Sequence, residues 1–176
     1  HARESTDMAA WDALVRRFAE PSAGYLFRHA RPRALPQSDK VIDVHGLSAA
    51  WDALQDTHEF FDLLRRFGVE RQQAFRLVPG HCARLAPESV AQLLGDAAVD
   101  GLPIMVFVGS GGCIQINTGP IKRLVDTHGW FNVLDPTFNL HLREAGVVRV
   151  FSVRKPTDDG VVTSIEAFDA RDRNVL

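Results

Sequence analysis

Helical and strand patterns occupy different halves of this sequence. As far as about residue 100, apolar residues recur at spacings of three and four, whereas the chain beyond Gly101 carries compact or alternating apolar runs joined by short turns. Short turns between successive strands favour antiparallel pairing, and segregated elements favour an α+β fold over βαβ repeats. The sequence therefore predicts an α+β domain with N-terminal helices packed on a large antiparallel β-sheet.

The helical half contains four predicted helices. The predicted ranges are 6–18, 48–67, 69–78 and 87–98. Pro21 ends the first helix, and Gly68 ends the second. The apolar face of the second helix is expected to comprise Trp51, Leu54, His58, Phe61 and Leu64.

The second half contains a series of predicted strands. Their ranges are 104–108, 113–117, 131–134, 138–142, 147–153 and 161–168, with the first half of another strand at 174–176. Residues 156–160 (PTDDG) have the composition of a hairpin turn. The glycine cluster at 109–112 is also interpreted as a hairpin turn, since a strand follows it where a phosphate-binding loop would require a helix.

Composition disfavours several classes of partner. Twenty basic residues against 22 acidic ones give a net charge of -2, whereas a polyanion-binding protein usually has a basic excess, so nucleic acid is not expected as the main partner. No apolar run reaches the ~18 residues of a membrane-spanning helix, and no membrane insertion is expected. The segment 1–5 precedes no apolar secretory core, and the two cysteines suit neither a disulfide framework nor a four-cysteine zinc site. A cytoplasmic location is expected.

Seven histidines are many for this length, and His58 is distinguished by its position. At the edge of the helix's apolar stripe it would be half shielded from water, leaving a neutral nitrogen available as a ligand or a base. The alternative is a core histidine hydrogen-bonded to Asp62 or to a backbone carbonyl. Spacing alone favours this alternative.

Several blocks resemble one bacterial family in series. They are 51–61 (WDALQDTHEFF), 103–109 (PIMVFVG), 112–120 (GCIQINTGP), 130–136 (WFNVLDP), 138–144 (FNLHLRE), 153–157 (VRKPT) and 162–166 (VTSIE). Together these blocks resemble the haemin-degrading and haemin-transport (HemS-like) proteins over about residues 47–176. Members of that family contain two similar α+β repeats joined by a linker.

The resemblance implies a division of the chain. Residues 1–20 would be the closing helix of a preceding repeat, 21–40 the linker, and 41–176 the haem-binding C-terminal repeat, ending before the family's domain does. This assignment is an expectation from the family pattern.

The resemblance also implies haem as the cofactor, bound in a cleft between the repeats. His58, in the D-x-H-x-F-F segment, would be the iron ligand. Arg71 and Lys155 would contact the propionates, and Met105 and Phe107 would line the apolar cavity. Such a set suits haem, which needs a neutral imidazole, apolar walls and cations for two carboxylates.

Three functions follow as hypotheses. The first is a cytoplasmic haem-binding protein of haem uptake and iron utilisation, which passes haem on, with a haem oxygenase or a haem importer as partner and a dimer as a further expectation. The alternative is a haem-degrading, oxygenase-like enzyme that needs a reductant and O2. The third is a structural half with no activity of its own. No catalytic residue is predicted, because the chemistry would belong to the haem.

Overall fold

The computed structural model describes residues 7–19, 36–110 and 113–176. The chain divides into two compact units, residues 1–35 and 36–176. The first unit contributes helix α1 (Met8–Phe18), which begins where the Asp7 side chain accepts a hydrogen bond from the Ala10 N–H at 2.9 Å. The predicted first helix is thus confirmed. Most of the predicted linker, residues 21–35, lies outside the described residues.

The second unit contains four α-helices and, on the described residues, eight strands. The helices are α2 (Val44–Asp52), α3 (Glu59–Phe67), α4 (Arg71–Leu77) and α5 (Ser89–Val99). The strands are β1 (Cys82–Leu85), β2 (Ile104–Gly109), β3 (Ile114–Gly119), β4 (Leu124–Thr127), β5 (Trp130–Asp135), β6 (Phe138–Arg143), β7 (Arg149–Thr157) and β8 (Gly160–Phe168). Short 3-10 turns occur at Asp39–Val41 and Glu144–Gly146.

The prediction of a single helix over 48–67 is wrong, because this stretch contains the end of α2, a break, and the whole of α3. The Glu59 carboxylate accepts from the backbone N–H groups of Gln55 and Asp56 at 2.9 and 3.3 Å. A side chain that bonds the backbone in this way competes with continuous helix formation. Because of the break, Phe60 and Leu63 form the buried face of α3, whereas Phe61 is 60% exposed. Gly68, with φ 59°, ends α3 as predicted.

The strands pair antiparallel, and the α+β class is confirmed. The large predicted sheet takes the form of three sheets, with strand orders β1-β7-β8, β2-β3 and β4-β5-β6. β1 and β4 were not predicted, since four-residue strands are too short to establish a period. Where the first half of a last strand is predicted, at 174–176, the structure has an isolated β-bridge between Phe168 and Asn174.

β7 and β8 form the wall between the two cores of this unit. The predicted turn joins them at 158–159, with Thr157 paired to Gly160. Phe151 and Val153 of β7 pack into the helical core around Trp51 and Phe75. Val150 belongs instead to the core formed with α5 and the other two sheets. Both faces of this hairpin therefore contribute to a core in its half away from the turn, whereas residues 160–163 next to the turn are exposed.

Candidate functional site

His58 is the residue immediately before α3, and its side chain is 91% exposed. The expectation of a half-shielded imidazole on a helical stripe is wrong, because the break between α2 and α3 removes the residue from that stripe. Its Nδ1 lies 2.6 Å from Oδ1 of Asp56, and the alternative partner Asp62 is ion-paired with Arg65. His58 is consequently an accessible histidine and not a core one.

Asp56 orients the His58 ring. Its Oδ1 also accepts the backbone N–H of His58 at 2.7 Å, and this bond together with the bond to the imidazole holds the pKa of Asp56 below its ordinary value. An ionised carboxylate can only accept, so the Nδ1 position carries the proton in this pairing. Nε2 is then the basic nitrogen, and within the described residues it makes no hydrogen bond. A carboxylate behind a histidine is the arrangement commonly found behind metal-bound imidazoles.

A second group of candidate side chains lies at the start of α4 and on the β7–β8 hairpin. Arg71 donates to Glu166 through Nε at 2.6 Å and through Nη2 at 2.8 Å. Lys155 Nζ lies 3.1 Å from Oε1 of the same carboxylate and 3.1 Å from Oγ of Ser164. We call Arg71, Lys155 and Glu166 the cationic cluster, because two cations share one anion.

Burial governs the electrostatics of this cluster. Burial alone would raise the pKa of Glu166, but the hydrogen bonds and charges of Arg71 and Lys155 outweigh it and hold that pKa below its ordinary value. The pKa of Lys155 is lowered, chiefly by burial, against the opposing effect of Glu166. The side chains of Lys155 and Glu166 are 6% and 7% exposed, whereas Arg71 is 26% exposed. The cluster carries one net positive charge, and Arg71 is its most solvent-exposed member.

Two rings of α3, the helix that begins after His58, contact the cationic cluster. The Phe60 ring centroid lies 5.1 Å from Cζ of Arg71 and 5.0 Å from Nζ of Lys155. The Arg71 guanidinium also lies 5.4 Å from the ring centroid of the exposed Phe61. These are cation–π distances. The structure thus brings together the helix that follows His58 with both predicted basic residues.

Met105 and Phe107 lie on the outward face of β2, 56% and 44% exposed. Phe107 pairs across the hairpin with Ile116, which is 53% exposed, while the intervening Val106 is buried in the core. The β2–β3 hairpin therefore presents an apolar strip to its surroundings. It belongs to a different sheet from the strands that carry Lys155 and Glu166.

Sequence reasoning missed Asp56 and Glu166. Asp56 stands two residues before His58, so its proximity was detectable, but the expected continuous helix would have placed the two side chains on different faces. Glu166 occupies an inward position of β8, opposite Phe151. A charged residue at an inward strand position was the available signal, since such a residue is buried only with a partner.

Other chemically capable residues lie away from these groups or are inert. Burial raises the pKa of the Cys82 thiol to about 12, which keeps it protonated. A surface cavity of about 740 Å³ is lined by residues of α5 and the β4 region, and none of the predicted site residues lines it. In the described ranges no helix is long and apolar enough to cross a membrane.

Comparison with known proteins identifies the family. The haemin-degrading HemS/ChuX domain matches residues 68–176. The hemin transport protein HmuS of Yersinia pestis is 40% identical over 172 residues, which cover 97% of this chain and 49% of that protein. The hemin transport protein HemS of Yersinia enterocolitica is 39% identical, with the same coverage. The chain spans about half the length of these curated relatives.

Solved structures agree. Holo-PhuS, a heme-binding protein from Pseudomonas aeruginosa, superposes with a TM-score of 0.87 at 45% identity, over 98% of this chain and 51% of that one. The heme degrading enzyme ChuS of Escherichia coli O157:H7 gives a TM-score of 0.82 at 40% identity, over 99% and 50%. The chain belongs to the haemin-degrading HemS/ChuX domain family.

Proposed function

We propose that this chain binds haem through Nε2 of His58 and serves as a cytoplasmic carrier that passes haem on to a degrading enzyme. The observation that carries the proposal is the exposed imidazole whose other nitrogen is held by Asp56. The resemblance of the D-x-H-x-F-F segment and the similarity to the heme-binding protein PhuS support it.

The residues present fit haem better than a bare metal ion. A porphyrin would supply most of the iron's ligands itself, so a single imidazole would be a sufficient protein contribution. A bare ion would need several side chains, and the described ranges contain no group of three or more histidine, cysteine or carboxylate residues able to hold one. One oriented histidine is thus the donor set that haem requires.

The remaining predicted residues would supply the other two requirements of haem, which are cations for its carboxylates and apolar walls for its ring. We propose Arg71 and Lys155 as the cationic side for the propionates, since their cluster holds one positive charge in excess of Glu166. Met105 and Phe107 would provide apolar wall from the β2–β3 hairpin. Phe61, exposed beside Arg71, offers additional apolar surface next to the His58 segment.

The protein's part in the chemistry is to bind and to orient. Asp56 fixes the tautomer and direction of the imidazole, and the cations favour the orientation in which carboxylates approach Arg71. Bound haem would supply an iron centre at which O2 can be coordinated and reduced. The alternative function is therefore haem degradation, which the similarity to the heme degrading enzyme ChuS favours.

Titration of the chain with haemin tests ligation. We expect a Soret band that saturates for the unaltered chain and is weakened and shifted for His58→Ala. His45→Ala is the matched control, since His45 is also exposed but lies at the start of α2. An identical Soret band in the His58→Ala and unaltered chains would refute the ligand assignment.

A reductant separates the carrier from the enzyme. Haem-loaded protein would be treated with ascorbate in air with catalase present, and its spectrum followed. A carrier keeps its Soret band through this treatment. Loss of the band with the appearance of a bile-pigment spectrum would establish the degrading alternative instead.

A further inference from the structure

The loop between α2 and α3, residues 53–58, carries His58 and has little apolar packing of its own. We call it the His58 loop. Leu54 is buried in the helical core and Thr57 is partly buried, whereas the other four residues of the loop are exposed. Because few apolar contacts stabilise such a segment, its conformation depends on its hydrogen bonds. The direction of the His58 ring therefore depends on the groups that bond to this loop.

The Glu59 carboxylate is the first group that holds the His58 loop. Glu59 is the first residue of α3, and its Oε2 accepts the backbone N–H groups of Gln55 at 2.9 Å and of Asp56 at 3.3 Å. The backbone N–H of Glu59 in turn donates to the carbonyl oxygen of Asp56 at 3.2 Å. These three bonds fix the backbone of Asp56, whose carboxylate contacts the His58 ring.

The turn between β7 and β8 is the second group that holds the loop. The backbone N–H of Asp158 donates to the carbonyl oxygen of Gln55 at 3.0 Å. This bond attaches the loop to a hairpin whose other end contributes to both cores. Gln55 is thus held on two sides, its N–H by Glu59 and its carbonyl oxygen by Asp158.

We propose that Glu59 and the backbone N–H of Asp158 position the iron ligand. They act through Gln55 and Asp56, which they hold where the Asp56 carboxylate can accept the proton on Nδ1 of His58. Without either group the carboxylate is no longer fixed against the ring, and the neutral imidazole populates both tautomers. Nε2 then offers a free electron pair to iron for only part of the time. This inference rests on the proposed haem binding, but its first test uses no haem.

The tautomer of His58 in the haem-free chain tests the role of Glu59. Nitrogen-labelled histidine and long-range proton–nitrogen correlation spectra, recorded at a pH where the ring is neutral, show which nitrogen carries the proton. We expect the Nδ1–H form in the unaltered chain and in Glu59→Gln, since an amide oxygen still accepts both N–H groups. Glu59→Ala should give a mixture. A pure Nδ1–H form in Glu59→Ala, as for a merely structural residue, or a mixture in Glu59→Gln, would overturn the proposal.

Asp158→Pro tests the role of the turn, because proline has no N–H to donate. Asp158 directly follows the last β7 residue, at the second position of the turn, where proline is favoured, so the hairpin should persist. Asp158→Ala is the matched control, since it removes the same carboxylate and keeps the N–H. We expect mixed tautomers of His58 in the proline variant and the pure Nδ1–H form in the alanine variant. Equal spectra of the two variants would overturn the role of the turn.

Haemin titration of the same variants relates this positioning to the proposed function. Glu59→Ala should bind haemin roughly tenfold more weakly, as for lost support behind a metal-bound histidine, and Glu59→Gln should stay within about twofold. Glu88→Ala is the control, since Glu88 is an exposed carboxylate before α5 that makes no capping bond, and it should change neither readout.

The two readouts keep the two proposals distinguishable. If haemin gives the same Soret band with the unaltered and His58→Ala chains, the proposed function fails, whatever the tautomer spectra show. If His58 ligates the iron and Glu59→Ala still binds haemin as tightly as the unaltered chain, only the positioning inference fails.

Discussion

Oδ1 of Asp56 lies 2.6 Å from Nδ1 of His58, in the break between α2 and α3. Both residues stand outside the helices, so the carboxylate can turn back onto the ring and onto the backbone N–H of His58. This relationship selects one imidazole nitrogen as donor and leaves the other basic. It is the local feature on which ligand strength at His58 should depend.

Asp56→Asn should weaken haemin binding about tenfold, because loss of the charged partner behind a ligating histidine typically costs 10–100-fold in metal affinity. Spectroscopic titration with haemin measures the change. Asp62→Asn is the control, since Asp62 pairs with Arg65 and not with His58. Equal affinities for the Asp56→Asn and unaltered chains would show that the carboxylate does not tune the ligand.

Phe107→Ala should lower haemin affinity by roughly fivefold to tenfold, through loss of apolar contact area. Trp130→Ala is the matched control, because Trp130 is an equally exposed aromatic residue on β5, 44% exposed like Phe107. Neither change should lower the urea midpoint by much, since both rings are half exposed. A similar loss of affinity in both variants would contradict the proposal that β2 forms an apolar wall of the haem site.

Glu166→Gln should destabilise the fold by about 3 kcal/mol at neutral pH, because it leaves the buried Lys155 ammonium without its counterion. Urea unfolding measures this loss. Glu88→Gln, at an exposed carboxylate before α5, should change the unfolding free energy by less than about 0.5 kcal/mol.

Acid unfolding should depend on Glu166 with a definite sign. Its pKa in the folded protein lies below the ordinary value of 4.5, so its stabilising effect is complete above that pH and is lost as the pH falls through the lowered pKa. Unfolding free energies measured at successively lower pH should therefore fall less steeply in Glu166→Gln than in the unaltered chain. Parallel curves for the two proteins would contradict the direction of this shift.

Phe75→Ala should cost about 3–5 kcal/mol, the usual penalty for removing a buried aromatic ring. Phe75 is 2% exposed and lies at 5.3 Å from the Phe151 ring and 6.2 Å from the Trp51 ring. Phe61→Ala should cost about 1 kcal/mol or less, since that ring is 60% exposed and its centroid lies 5.4 Å from the Arg71 guanidinium. Comparable unfolding free energies for the two variants would contradict the assignment of the helical core.

The strand half was predictable because its apolar alternation is local. β6 and the β7–β8 hairpin follow directly from that period and from the turn residues at 156–160. The break between α2 and α3 was not predictable from apolar spacing, since it depends on where the Glu59 carboxylate turns. That single misjudged helix produced the wrong environment for His58.

The candidate site was predictable only in part, for a related reason. His58, Arg71 and Lys155 came from the family resemblance, and their roles stay predictions. Glu166 lies 95 residues from Arg71 along the chain, and no local pattern connects two such positions. Their pairing depends on the packing of α4 against the β7–β8 hairpin, which periodicity does not specify.

The β7–β8 hairpin contributes to both cores, Phe151 and Val153 to one and Val150 and Ala167 to the other. Neither core can come apart without exposing one face of the same nine-residue strand pair. Residues 36–176 should accordingly behave as one cooperative unit, in which the amide protons at the centre of β7, the middle strand of β1-β7-β8, exchange with solvent only on global unfolding. A change that destabilises the helical core near His58 should then also make the amide protons of α5, which packs in the other core, exchange faster with solvent.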